Sequence, residues 1–244
     1  MAAGENEDAL ASYQKHDYAA ALQLWRPMAD RGIAEAQYNL GIMYEKGRGV
    51  PQDDGEAVNW YRKAADQGIA EAQYNLGIMY NHGRGVPQDD GEAVDWYRKA
   101  ADQGIAEAQI NLGSTYENGR GVPHDIAEAV TWFCKAADQG HAMAQFSLGN
   151  IYSNQEAIQD AAEAAKWFRK AADQGHAMAQ FSLGAIYDNS HDNAEAAKWY
   201  RKAADQGMAA AQFNLGNIYN NGQGVPQDPV MADFVDLVGL DRWE

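Results

Sequence analysis

Residues 69–104, IAEAQYNLGIMYNHGRGVPQDDGEAVDWYRKAADQG, form a 36-residue block that the chain writes again and again. Its closing Ala-Asp-x-Gly recurs at Ala29–Gly32, Ala65–Gly68, Ala101–Gly104, Ala137–Gly140, Ala172–Gly175 and Ala204–Gly207, at successive spacings of 36, 36, 36, 35 and 32. A fixed period of this size is the signature of a solenoid, in which each unit packs on its neighbours. The expected fold is all-α, a solenoid of repeated helix hairpins.

Within the block, Ala70–His82 reads as a first helix. Ala72, Leu76, Met79 and Tyr80 fall at i, i+4, i+7 and i+8, which is one buried stripe. Gly77 interrupts that helix at a cost of ~1 kcal/mol relative to Ala. Its recurrence at Gly41, Gly113, Gly149, Gly184 and Gly216 implies a close approach between helices. The second helix reads Asp90–Gln103, with Ala93, Trp96, Tyr97, Ala100 and Ala101 on one face. Asp-x-x-Glu opens it five times, at Asp53, Asp89, Asp125, Asp160 and Asp192, and resembles a capping box. Gly68, Gly104, Gly140, Gly175 and Gly207 are read as left-handed caps at its end. The connector is Gly-x-Gly-Val-Pro at Gly47–Pro51, Gly83–Pro87, Gly119–Pro123 and Gly222–Pro226. The fourth and fifth copies lack it and are shortened there, where length changes are tolerated.

Composition narrows the function. Lys and Arg number 19 against 35 Asp and Glu, a formal net charge of −16. That argues against nucleic acid and anionic membrane as partners and favours a neutral or basic protein or peptide. Many of the carboxylates are nevertheless helix caps. No apolar run approaches the length of a membrane span, so no membrane insertion is expected. Met1–Asp8 is acidic and has no apolar stretch, so no signal peptide is read there. A periplasmic or secreted bacterial location is expected if a signal has been removed, and a cytoplasmic one otherwise. The single cysteine, Cys134, stands where other copies have Arg and reads as a substituted surface position. No pair of the six histidines has metal-ligand spacing, so neither a metal nor a cofactor is expected.

The frame Ala-x-Ala-Gln-x-x-Leu-Gly-x-x-Tyr, then Gly-x-Gly-Val-x-x-Asp, then Ala-x-x-Trp-aromatic-x-Lys-Ala-Ala-x-Gly resembles the Sel1-like repeat family, relatives of the tetratricopeptide repeats. The resemblance covers roughly residues 9–228. It implies a right-handed α/α superhelix (solenoid) of repeated antiparallel helix hairpins, acting as a non-catalytic scaffold that binds proteins or peptides. Bacterial members are often exported and linked to host interaction or envelope processes, and eukaryotic members act as adaptors in endoplasmic-reticulum degradation. A cysteine-rich branch is associated with β-lactam binding or hydrolysis. A small-molecule binder or hydrolase like that branch is the second reading, from which a chain with one cysteine departs.

The array is expected over 1–228, with an N-terminal cap hairpin at 8–31 and repeats starting near 33, 69, 105, 141, 176 and 208. In the related tetratricopeptide repeats the first helices line a concave groove. The equivalent positions here are Glu35, Tyr38 and Ile42; Glu71, Tyr74, Ile78 and His82; Glu107 and Ile110; Phe146 and Asn150; Phe181; and Phe213 and Asn217. Tyr38, Tyr74, Ile110, Phe146, Phe181 and Phe213 form a ladder with two readings, a binding surface or packing between repeats. Residues 229–244 are read as a capping helix and tail, with Met231, Phe234, Val235 and Val238 at helical spacing. Self-association through this segment is a further expectation.

Overall fold

The computed structural model describes residues 2–154 and 158–228. The expected capping helix at 229–238 lies outside the described residues. Those residues form helices throughout, with no strand among them: α1 (Ala2–Gln14), α2 (Tyr18–Asp30), α3 (Ala34–Lys46), α4 (Asp54–Asp66), α5 (Ala70–His82), α6 (Asp90–Asp102), α7 (Ala106–Asn118), α8 (Ile126–Asp138), α9 (Ala142–Asn154), α10 (Ala161–Asp173), α11 (Ala177–Asn189), α12 (Asn193–Asp205) and α13 (Ala209–Asn221). By backbone contacts the chain divides into two units, 1–132 and 133–244. In the first, each helix from α1 to α7 packs on the next, and in the second the same holds from α9 to α13. This is the expected row of hairpins. The opening helix starts at Ala2 rather than Asp8, and α2 continues through Pro27 to Asp30.

In each unit a Trp-aromatic pair of a second helix faces two ways. In the first unit, Trp60 packs backward on Trp25, Leu40 and Met43, while Tyr61 packs forward on Leu76 and Met79. The second unit repeats the arrangement: Trp199 joins Phe168 and Leu183, and Tyr200 joins Leu215 and Ile218. Each pair therefore belongs to two successive cores. This is the physical basis of the nearest-neighbour stability of a repeat array.

The glycine inside the first helix has a specific cause. A Cβ on Gly77 would stand 2.6 Å from Tyr97 Cδ1, and one on Gly149 2.5 Å from Phe168 Cδ1. The close approach is that of a ring, lying flat over the glycine of its own hairpin.

The caps differ from expectation in one respect. The Asp side chains accept as predicted, as in Glu56 N–H to Asp53 Oδ1 at 3.0 Å and Glu92 N–H to Asp89 Oδ1 at 3.0 Å. The return bond from the Glu is not needed. The Asp53 N–H already donates to Tyr44 O at 3.0 Å and the Asp89 N–H to Tyr80 O at 3.1 Å, the last turn of the preceding helix. Glu163 and Glu195 instead reach Lys166 and Lys198. At the far end, Gly104 takes φ +94 just past the α6 cap, and its amide bonds to Ala101 O at 3.0 Å. That left-handed turn suits glycine.

Candidate functional site

The exposed face of the first helices follows from what the buried stripe leaves over. In the first unit it carries Glu35, Glu71 and Glu107 exposed, with Tyr38, Tyr74 and Ile110 half-buried beside them. Ile42 and Ile78 are half-buried, and His82 is exposed at the end of α5. In the second unit the glutamate positions become Met143 and Met178, 52% and 47% exposed. Phe146, Asn150 and Phe181 are half-buried there, whereas Asn217 is exposed and Phe213 is 61% exposed.

Four of the ladder rings pack against the aromatic of their own second helix. Centroid separations are 6.0 Å for Tyr38–Tyr61, 6.1 Å for Tyr74–Tyr97, 5.8 Å for Phe146–Phe168 and 5.6 Å for Phe181–Tyr200. The rings thus do structural work on one side and meet solvent on the other. Burial, and then the charges of Glu71 and Glu107, raise the Tyr38 and Tyr74 hydroxyls above the usual phenol range. Both stay neutral donors near pH 7.

Two networks cross from repeat to repeat, and neither was read from the sequence. The first is a buried glutamine in every first helix. Gln37 Nε2 donates to Ala29 O at 3.1 Å and Gln73 Nε2 to Ala65 O at 3.1 Å, satisfying carbonyls at the end of the preceding hairpin. Their Oε1 atoms accept from Gln67 at 2.7 Å and Gln103 at 2.8 Å. The second pairs the Arg of a second helix with the last Tyr of the next first helix: Arg26–Tyr44 at 3.1 Å, then Arg62–Tyr80, Arg98–Tyr116, Arg169–Tyr187 and Arg201–Tyr219. Glutamine recurrence was visible in the Ala-x-Ala-Gln frame. The Arg–Tyr pairing was encoded as a constant separation of 18 residues. Cys134 stands in this Arg row and is half-buried rather than a free surface position. Burial, with Asp138 and Glu163 nearby, pushes its thiol up, so it is held as a poor nucleophile.

A cluster of charged side chains stands at the junction between the first two repeats. Glu45, at the end of α3, accepts from the Tyr61 hydroxyl at 2.7 Å and from Arg84 at 3.2 Å, with Lys46 at 3.3 Å. Arg84 also grips Asp54 with two bonds, at 2.9 and 3.3 Å. One period later a cleft of about 360 Å³ opens between α5, α6 and α7, lined by Tyr74, Asn81, Tyr97, Ser114, Asn118 and Arg120 among others. Of the expected site residues, Tyr74, Ile78 and His82 meet in this cleft. Glu71, Glu107 and Ile110 do not line it. No group of three or more His, Cys, Asp and Glu able to hold a metal is found among the described residues.

Hairpins that share each core with both neighbours define a helical-repeat protein. The Sel1 repeat family model matches residues 11–33, 34–69, 70–105, 106–141, 142–176, 177–208 and 209–232, and the chain belongs to this family. Its fold is typically that of a non-catalytic scaffold, and the family commonly serves protein interaction. Among solved structures, c5321, a protective antigen present in uropathogenic Escherichia coli strains, is 35% identical with a TM-score of 0.95. The match covers 99% of this chain and 54% of that one, so the chain spans about half of that protein's length. A Sel1 repeat protein from Oxalobacter formigenes is 30% identical with a TM-score of 0.80, covering 96% of both chains. Among curated proteins, DAP3-binding cell death enhancer 1 of Rattus norvegicus is 50% identical over 42 residues, 17% of this chain and 8% of that protein. No helix among the described residues is long and apolar enough to cross a membrane.

Proposed function

We propose that this protein is a non-catalytic scaffold that binds a neutral or basic protein or peptide segment along the exposed face of its first helices. One observation carries the reading. The buried frame of Leu, Gly and Gln repeats from copy to copy, while the outward positions of the same helices change from Glu35, Glu71 and Glu107 to Met143 and Met178. Packing explains the constant positions and leaves the outward ones free for recognition. Half-open rings beside them offer apolar contact, and the glutamates supply attraction for a basic residue. Family membership supports an interaction role in general terms.

The test is charge reversal. In a pull-down with the intact chain, Glu71→Lys combined with Glu107→Lys should lose a partner that the parent retains, with the melting temperature unchanged. Retention of every captured partner by the reversed chain would sink the assignment of this face.

A further inference from the structure

Two adjacent repeat junctions differ by one carboxylate. Between the first and second repeats, Glu45 fills the space in front of Tyr61, and its side chain is 14% exposed. Burial opposes its charge, but the Tyr61 hydroxyl, Lys46 and Arg84 together hold it below the usual carboxylate range. That junction is built to keep an ionised carboxylate.

The next junction keeps the Tyr and Arg donors, has His82 in the place of Lys46, and omits the acid. Counting 36 residues on, Tyr97 replaces Tyr61, Arg120 replaces Arg84 and Asp90 replaces Asp54, but Asn81 stands where Glu45 does. Ser114 and Thr115 also replace the longer Ile78 and Met79. These exchanges leave the cleft of about 360 Å³. Arg120 makes a single contact, with Asp90 at 3.1 Å, and its side chain is 51% exposed. Arg84 makes three and is 36% exposed. The Asn111 amide sits against the Tyr97 hydroxyl, as Asn75 does against Tyr61, and among the described residues no carboxylate accepts the Tyr97 proton.

We propose that this cleft binds a carboxylate, the acidic side chain of a peptide, in the place that Glu45 fills one repeat earlier. The Tyr97 hydroxyl and the free edge of Arg120 donate to it, as their counterparts do to Glu45. Charge-assisted bonds of this kind are the stronger ones, and a neutral amide does not gain them. The identity of the source as a peptide rests on the recognition face proposed above. The segment recognised there is neutral or basic overall and carries one acidic residue at this point.

A small probe tests the cleft without a known partner. N-acetyl-glutamate α-amide is titrated into the full chain while the Arg120 side-chain NMR signals are followed, with N-acetyl-glutamine α-amide as the uncharged control. The acid should saturate with an affinity about tenfold above that of the amide. Tyr97→Phe, which keeps the ring, should weaken the acid several-fold and leave the amide unaffected. Asn81→Glu should supply the carboxylate from within, abolish the response to the acid and raise the melting temperature. Equal or absent responses to acid and amide would overturn the inference, as would undiminished acid binding in Tyr97→Phe. A null result here leaves the charge-reversal test of the wider face standing.

Discussion

At the residue scale, Gly77 shows how a repeat fixes its own sequence. Alanine would improve the helix by ~1 kcal/mol. It would also press a methyl against Tyr97, whose ring is buried and cannot swing away. Overpacking of this kind costs about 1–3 kcal/mol, so the clash wins. Gly77→Ala should therefore destabilise the parent in urea titrations. In a Tyr97→Ala background the same change should cost far less, because only the tight approach to Ala93 O at 3.3 Å remains. A loss of equal size in both backgrounds would show that the ring is not the cause.

His176 gives a pH dependence. Its Nδ1 accepts from the Ala179 N–H at 3.2 Å as the cap of α11, and its ring stacks on Phe146 at 4.7 Å. Burial lowers its pKa. The unfolded chain, with an ordinary value of about 6.5, then binds the proton first as pH falls. The stabilising contribution is fully present above that value and is lost as pH drops through the folded one. His176→Asn caps without titrating. Melts from neutral to mildly acidic pH should fall more steeply for the parent than for this variant. Parallel curves would remove His176 from the account.

At the element scale, most of the architecture was legible because the repeat averages out local ambiguity. Ala93, Trp96 and Tyr97 stand on one face in the sequence, and all are buried. What stayed hidden were contacts between helices far apart in sequence. Nothing in a helical wheel says that Trp60 faces backward and Tyr61 forward, since that direction depends on how the next hairpin lies. The capping box was misread for the same reason. The amide that the Glu was expected to satisfy is taken by Tyr80 O, on another helix. The candidate face was read position by position, but the cleft was not. Asn81, Tyr97 and Arg120 come from three separate segments, and only their comparison with Glu45, Tyr61 and Arg84 in space gives them meaning.

For the whole molecule, the last described repeat carries the counterparts of residues that meet a following helix in the first unit. Ala194, Ala197, Arg201, Tyr219 and Val225 line an opening of about 250 Å³. In the first unit the equivalent Val58, Tyr80 and Val86 share their cluster with Trp96 of the following helix. The Asp228 N–H bonds to Tyr219 O at 3.1 Å, as the Asp89 N–H does to Tyr80 O. Seven residues after Asp89 comes Trp96, and seven after Asp228 comes Val235. Counted the same way, Asp233 and Asp236 stand at the sequence positions of Val94 and Tyr97. Deleting residues 229–244 should accordingly lower the melting temperature and produce aggregation in light scattering. An unchanged, monomeric truncated chain would rule out a capping role.

The central claim is that one set of residues holds the array together and another is free to recognise a partner. Calorimetric melts of two variants beside the parent test it most directly. Trp96→Ala removes a ring 8% exposed in the core shared by two repeats, and should cost about 3–5 kcal/mol. Glu71→Ala combined with Glu107→Ala alters only the exposed face, and should stay within about 0.5 kcal/mol of the parent. Comparable losses in the two variants would mean that the outward glutamates are structural, and the division between frame and recognition face would fail.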